Sequence, residues 1–148
     1  PHDLLPNYRL SASIKLPNIG TVATYWKKQL NPLLNVALKD QIVVDCRSGE
    51  YRKMWTPSAK HPCELLQVVV QREDPCTGKR SVVSHNAKHM RGVLAGALFE
   101  QRANGKLSEE VSVSQIVEIA SNLPGVIDVD VSTANASGEA TLTLVTGC

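Results

Sequence analysis

Long apolar runs are missing from this 148-residue chain: no stretch approaches the roughly 20 residues that a membrane-spanning helix requires. The opening Pro1-His2-Asp3-Leu4-Leu5-Pro6 has neither the positive charge nor the apolar centre of a secretion signal. The expected setting is the cytoplasm, away from any membrane. Cysteine is sparse, and Cys46, Cys63, Cys76 and Cys148 form no Cys-x-x-Cys pair, so free thiols are expected rather than a disulfide framework or a Cys-ligated zinc. Internal repeats and low-complexity tracts are also absent, which removes solenoids and linkers from consideration.

What is present is a hydrophobic content of 43%, enough to bury one core, and a single domain over residues 1–148 is expected. The net charge of +2 conceals an asymmetry. Residues 1–91 carry 14 Lys/Arg against 7 Asp/Glu, whereas residues 92–148 carry 2 against 7. A basic front section suits an anionic partner such as nucleic acid, although solvated surface accounts for such charge equally well.

Thr21 is a fitting cap for a helix carrying Val22, Tyr25, Trp26 and Leu30 at helical spacing. Asn31-Pro32 then resembles a fresh N-cap and first-turn proline, predicting two helical pieces or one kinked helix. Gln41 to Asp45 reads as a strand, with a brief helix from Ser48 to Met54. Leu65 to Arg72 and Lys79 to Ser84 flank the turn Asp74-Pro75-Cys76-Thr77-Gly78 as a β-hairpin. Met90, Val93, Leu94, Ala97 and Leu98 mark an amphipathic helix with Lys88, Arg91 and Arg102 outward. Within it, Gly92 and Gly96 cost about 1 kcal/mol each relative to Ala, which implies close backbone packing. Ser112-x-x-Gln115 is a capping-box pattern for a further helix. Val126 to Ser132 and Glu139 to Val145 close the chain as a second hairpin. The fold class is therefore α/β or α+β, a mixed sheet of about five strands with helices packed on its faces.

Two polar runs carry the functional signal. Asp45-Cys46-Arg47-Ser48-Gly49-Glu50-Tyr51 and Ser84-His85-Asn86-Ala87-Lys88-His89-Met90-Arg91-Gly92 each follow a β-branched strand and open a helical segment. Each turn would present basic side chains and free backbone N–H groups, a natural anion site. Together with Tyr8-Arg9-Leu10, Lys15-Leu16 and the Trp26 helix, these runs resemble the YaaA family of bacterial peroxide stress proteins. In that family a strand ends in an "Ala-Ser-x-Glu-Tyr"-like turn, and a "Ser-Phe-x-Ala-Lys-x-Ala-Arg-Gly"-like turn leads into a helix. Arg47, His85 and His89 depart from the pattern. The resemblance implies the C-terminal portion of a longer cytoplasmic protein that protects against hydrogen peroxide and free-iron damage. It also implies kinship with DNA-binding proteins that carry a helix-hairpin-helix, and brings no firm catalytic activity and no cofactor.

The expected anion-binding set is Arg9, Lys15, Arg47, Ser48, Ser84, Lys88 and Arg91, gathered on one sheet rim if the strands before the two turns are parallel, with DNA as partner. Glu50 is expected to pair with Arg47 or Lys88. Alternatively, Asp45 and Glu50 would hold a divalent cation for phosphate-ester or nucleotide chemistry. His85 and His89, four apart, would suit a metal-handling role. Trp26 and Trp55 are candidate stacking platforms for bases, helical spacing making Trp26 core instead. Leu123-Pro124-Gly125-Val126 resembles the hairpin of a helix-hairpin-helix, but the period-two pattern after it predicts a helix-to-strand turn.

Overall fold

The computed structural model describes residues 15–18, 20–47, 55–83, 87–107, 111–132, 135 and 139–147. A short ribbon comes first, with β1 (Lys15–Leu16) antiparallel to β2 (Gly20–Thr21). Asn18 and Gly20 turn the ribbon at positive φ, 61° and 101°, conformations that Asn and Gly tolerate best. The Thr21 hydroxyl then accepts the Thr24 N–H at 3.2 Å and starts α1 (Val22–Tyr25).

From α1 the chain runs without a break through a wide π turn, Trp26–Leu30, into α2 (Asn31–Ala37). Asn31 is helical (φ −59°, ψ −44°) and its N–H reaches back five residues to the Trp26 carbonyl, so it is no fresh N-cap. Pro32 is the reason. It has no N–H to donate, and widening the preceding turn lets the helix pass the proline without ending.

The main sheet has five strands. β3 (Ile42–Asp45) lies parallel to β4 (Glu64–Glu73), which lies parallel to β7 (Glu139–Thr146), and β6 (Val126–Val131) closes the far edge antiparallel to β7. β5 (Arg80–Val82) pairs antiparallel with the last residues of β4, forming the expected hairpin. The sheet is mixed, and the α/β class holds. β4 and β7 are its interior strands: on β7, Leu142, Leu144 and Val145 have no exposed surface, because neighbours flank it on both edges and its apolar side chains are covered.

Alternation along β4 divides two cores. Leu66, Val68 and Val70 meet Ala140, Leu142 and Leu144 of β7 beneath α3 (Ala87–Ala103) and α4 (Val113–Ser121). On the opposite side Leu65 joins Val22, Trp26, Leu34, Leu38, Trp55 and Cys63. In the first core Leu94 is fully buried, and burial of one such leucine contributes about 2 kcal/mol. α4 starts as its pattern predicts: the Ser112 hydroxyl accepts the Gln115 N–H at 3.3 Å, and the Gln115 side chain accepts the Ser112 N–H at 3.0 Å. Gly125, at φ +82°, turns the chain after Leu123-Pro124 directly into β6, so this segment is a helix-to-strand turn.

Gly92 and Gly96 behave differently from expectation. Both are exposed, and a Cβ at either position would meet nothing within 4 Å among the described residues. Packing inside this part of the chain therefore does not require them to be glycine.

Candidate nucleic-acid interface

The pairing registers bring the strands that lead into the two polar runs to one stretch of β4. β7 occupies one edge of β4 as far as Arg72, so β3 and β5 must share the other. β3 runs along the lower half and ends with Asp45 opposite Gln67. β5 runs the opposite way along the upper half and ends with Val82 opposite Gln71, after which the Val83 N–H bonds the Val70 carbonyl at 3.2 Å. Both strands thus aim their C-terminal ends at the stretch Val68–Val70. The expectation of parallel strands is corrected: β3 and β5 are antiparallel in sense, and they converge because they approach one point on a shared edge from opposite directions. Cys46 and Val83, just past the two strand ends, pack on the same core as Ala87 and Met90 of α3.

α3 then lays out its first turns as the helical pattern predicts. Ala87 and Met90 are buried, Lys88 and His89 are exposed, and Arg91 is half-exposed. No acidic residue stands in the first turn to offset the helix dipole. Lys88, His89, Gly92 and Val93 line an open, shallow depression. Among the described residues neither Lys88 nor Arg91 forms an ion pair.

Arg47 is placed otherwise. Its Nε donates to Asp45 Oδ1 at 2.8 Å and its Nη2 to Asp45 Oδ2 at 2.9 Å, a bidentate fork, while its backbone N–H adds a third bond to Oδ1 at 3.0 Å. Nη2 also donates to the Trp55 carbonyl at 3.0 Å, and the guanidinium lies over the Trp55 ring, 5.5 Å from its centroid. Trp55 in turn donates its indole N–H to Asn35 Oδ1 on α2 at 2.9 Å. Asp45 and Arg47, two apart at a strand end, lie on one side of the strand. That spacing was the available signal for the pair; Glu50, expected to pair with Arg47 or Lys88, lies outside the described residues.

Both Asp45 oxygens are thus engaged by a cation from the chain itself, which bears on the alternative of a divalent metal at Asp45 and Glu50. Among the described residues no three His, Cys, Asp or Glu side chains stand together at metal-binding distance. Trp26 and Trp55 are both buried, 9% and 5% exposed, and so cannot offer a free face to a base. Lys15 is exposed on the β1–β2 ribbon, outside the main sheet. Arg9, Ser48, Glu50, Ser84 and His85, with the brief helix expected from Ser48, lie outside the described residues.

A second cluster went unseen in the sequence. Arg80 on β5 donates to Glu73 on β4 at 3.1 Å and to Asp128 and Asp130 on β6 at 3.0 Å each, reaching across β7. Hydrogen bonds to Glu73 first, then Asp128, hold its guanidinium above the ordinary arginine range. Basic charge from the front of the chain is here matched to acidic charge from the rear, across 48 and 50 residues, too far for a local pattern to show.

The fold is that of a mixed α/β protein in which two strand exits meet beside a basic helix start, and comparison with known proteins narrows the class. The family model "Peroxide stress protein YaaA" matches residues 1–120. A UPF0246 protein of Corynebacterium efficiens is 30% identical over 145 residues, 97% of this chain and 53% of the relative. One from Corynebacterium glutamicum is 34% identical over 116 residues, 76% of this chain and 45% of the relative. One from Streptomyces coelicolor is 31% identical over 97 residues, 66% of this chain and 36% of the relative. The chain belongs to the YaaA peroxide stress protein family. It spans between about a third and a half of the length of these relatives.

Proposed function

We propose that this part of the protein serves the peroxide stress response by holding the phosphate backbone of DNA against the start of α3, shielding DNA from peroxide and free-iron damage. Lys88 and Arg91 supply the charge. The observation that supports the reading is the convergence of the β3 and β5 exits on Val68–Val70, next to a helix start that carries Lys88 and Arg91 and no acidic residue. Such a site neutralises phosphates without reading bases, so binding depends steeply on salt. Duplex DNA titrations at several salt concentrations test it. The Lys88→Ala, Arg91→Ala double variant is expected to lose up to about two units of the log affinity against log salt slope. Retention of both affinity and slope would remove these residues from the contact.

A further inference from the structure

We propose that Arg47 is a positioning residue which clamps the exit of β3, and that it acts on phosphate binding only through that clamp; this rests on the reading of α3 as a phosphate site. Asp45 is the one buried charged side chain among the described residues, 4% exposed. A carboxylate taken out of water requires a cationic, hydrogen-bonded partner. The Arg47 fork provides it through two parallel bonds, at 2.8 and 2.9 Å. The same guanidinium holds the chain where it returns at Trp55, and the Trp55 indole holds Asn35 of α2. The end of β3 and residue 55 are therefore tied at one planar group, and the Trp55 indole extends the tie to α2.

Two consequences separate this role from a phosphate contact. Paired with Asp45, Arg47 adds almost no net charge at the surface, so it contributes little to counterion release on DNA. Lysine cannot take its place, because an ammonium offers neither the planar fork nor the stacking face. The route from clamp to site is Cys46: it lies between Asp45 and Arg47 in the chain and packs on the core that seats Ala87 and Met90 at the start of α3. A loosened clamp shifts the surface beneath Lys88 and Arg91 without removing a charge from it.

The test compares duplex DNA binding across a salt series for the 148-residue chain and its Arg47→Lys, Arg47→Ala and Lys88→Ala variants. The Trp55 indole N–H signal is followed by NMR, assigned with Trp26→Phe. Arg47→Lys and Arg47→Ala are expected to weaken binding alike, by roughly tenfold, with the wild-type salt slope and a shifted Trp55 indole signal. Lys88→Ala is expected to lower the slope by about 0.9 and leave that signal in place. Full affinity in Arg47→Lys, or a slope reduced by about 0.9 in Arg47→Ala, would make Arg47 a phosphate contact and overturn the clamp. If the wild-type chain shows no salt-dependent DNA binding, the phosphate reading of α3 fails on its own. The clamp is then decided by the indole signal and the hydrogen exchange of the Cys46 amide in Arg47→Lys: changes in both sustain it, and an unmoved indole signal overturns it.

Discussion

The two halves of one edge of β4 solve the same electrostatic problem in opposite ways. Along the lower half, β3 brings Arg47 to a carboxylate that is 4% exposed, with Trp55 beneath the guanidinium and Cys63 buried just before β4 begins. Along the upper half, β5 brings Arg80 to Glu73, Asp128 and Asp130, all reached by water, while Cys76 sits exposed on the turn. Water decides what each arginine is worth. In the interior, losing one partner strands a desolvated charge, whereas at the surface solvent and salt replace the missing partner.

The largest effect that would sharpen this contrast is at Asp45. Asp45→Ala leaves the Arg47 guanidinium against Trp55 without its counter-charge, and urea unfolding is expected to show a loss of about 3 kcal/mol that persists in high salt. A loss below about 1 kcal/mol would mean the pair is effectively solvated. The cysteines give the next test. Burial first, and the charge of Glu139 second, push the Cys63 thiol above its usual range, so it stays protonated at neutral pH. The protonated form is favoured by folding. This contribution is complete below the unfolded thiol's pKa and is lost as pH rises through the raised value. Thiol labelling at pH 8, read by peptide mass mapping, is expected to modify Cys76 roughly a hundredfold faster than Cys63. Equal rates would show that the lower half opens as readily as the upper. The smallest effect is at Arg80. Arg80→Ala is expected to lower the melting temperature slightly in dilute buffer and not at all in 1 M salt, where charges are screened beyond about 3 Å. A drop that survives high salt would make the clasp across β7 a structural tie of the same kind as the Arg47 pair.

The local elements were legible in the residues because their causes are local. The Ser112 and Gln115 capping box, the period of Met90, Leu94 and Leu98, and the turn chemistry of Asp74 to Gly78 each act within a few residues, and the structure keeps all three. The proline kink was legible in outline only, since Pro32 announces a fault in the helix without saying that a π turn absorbs it. Gly92 and Gly96 were misread because a glycine pair marks an available approach, not what approaches. The Asp45 and Arg47 pair lay within reach, being two residues apart at a strand end, but recognising it required knowing that Asp45 is buried.

Taken alone, the sequence determined a mixed α/β fold, the family, and a basic helix start at Lys88 and Arg91, because periodicity, caps and motif spacing are properties of neighbouring residues. Only the tertiary structure decided that β3 and β5 share one edge of β4 and meet at Val68–Val70, that Arg47 turns inward to Asp45, and that Arg80 reaches Asp128 and Asp130. Those outcomes depend on strand order and burial, which arise from pairings between distant residues; even the Asp45 and Arg47 spacing, visible in the chain, acquires its meaning only once Asp45 is known to be buried.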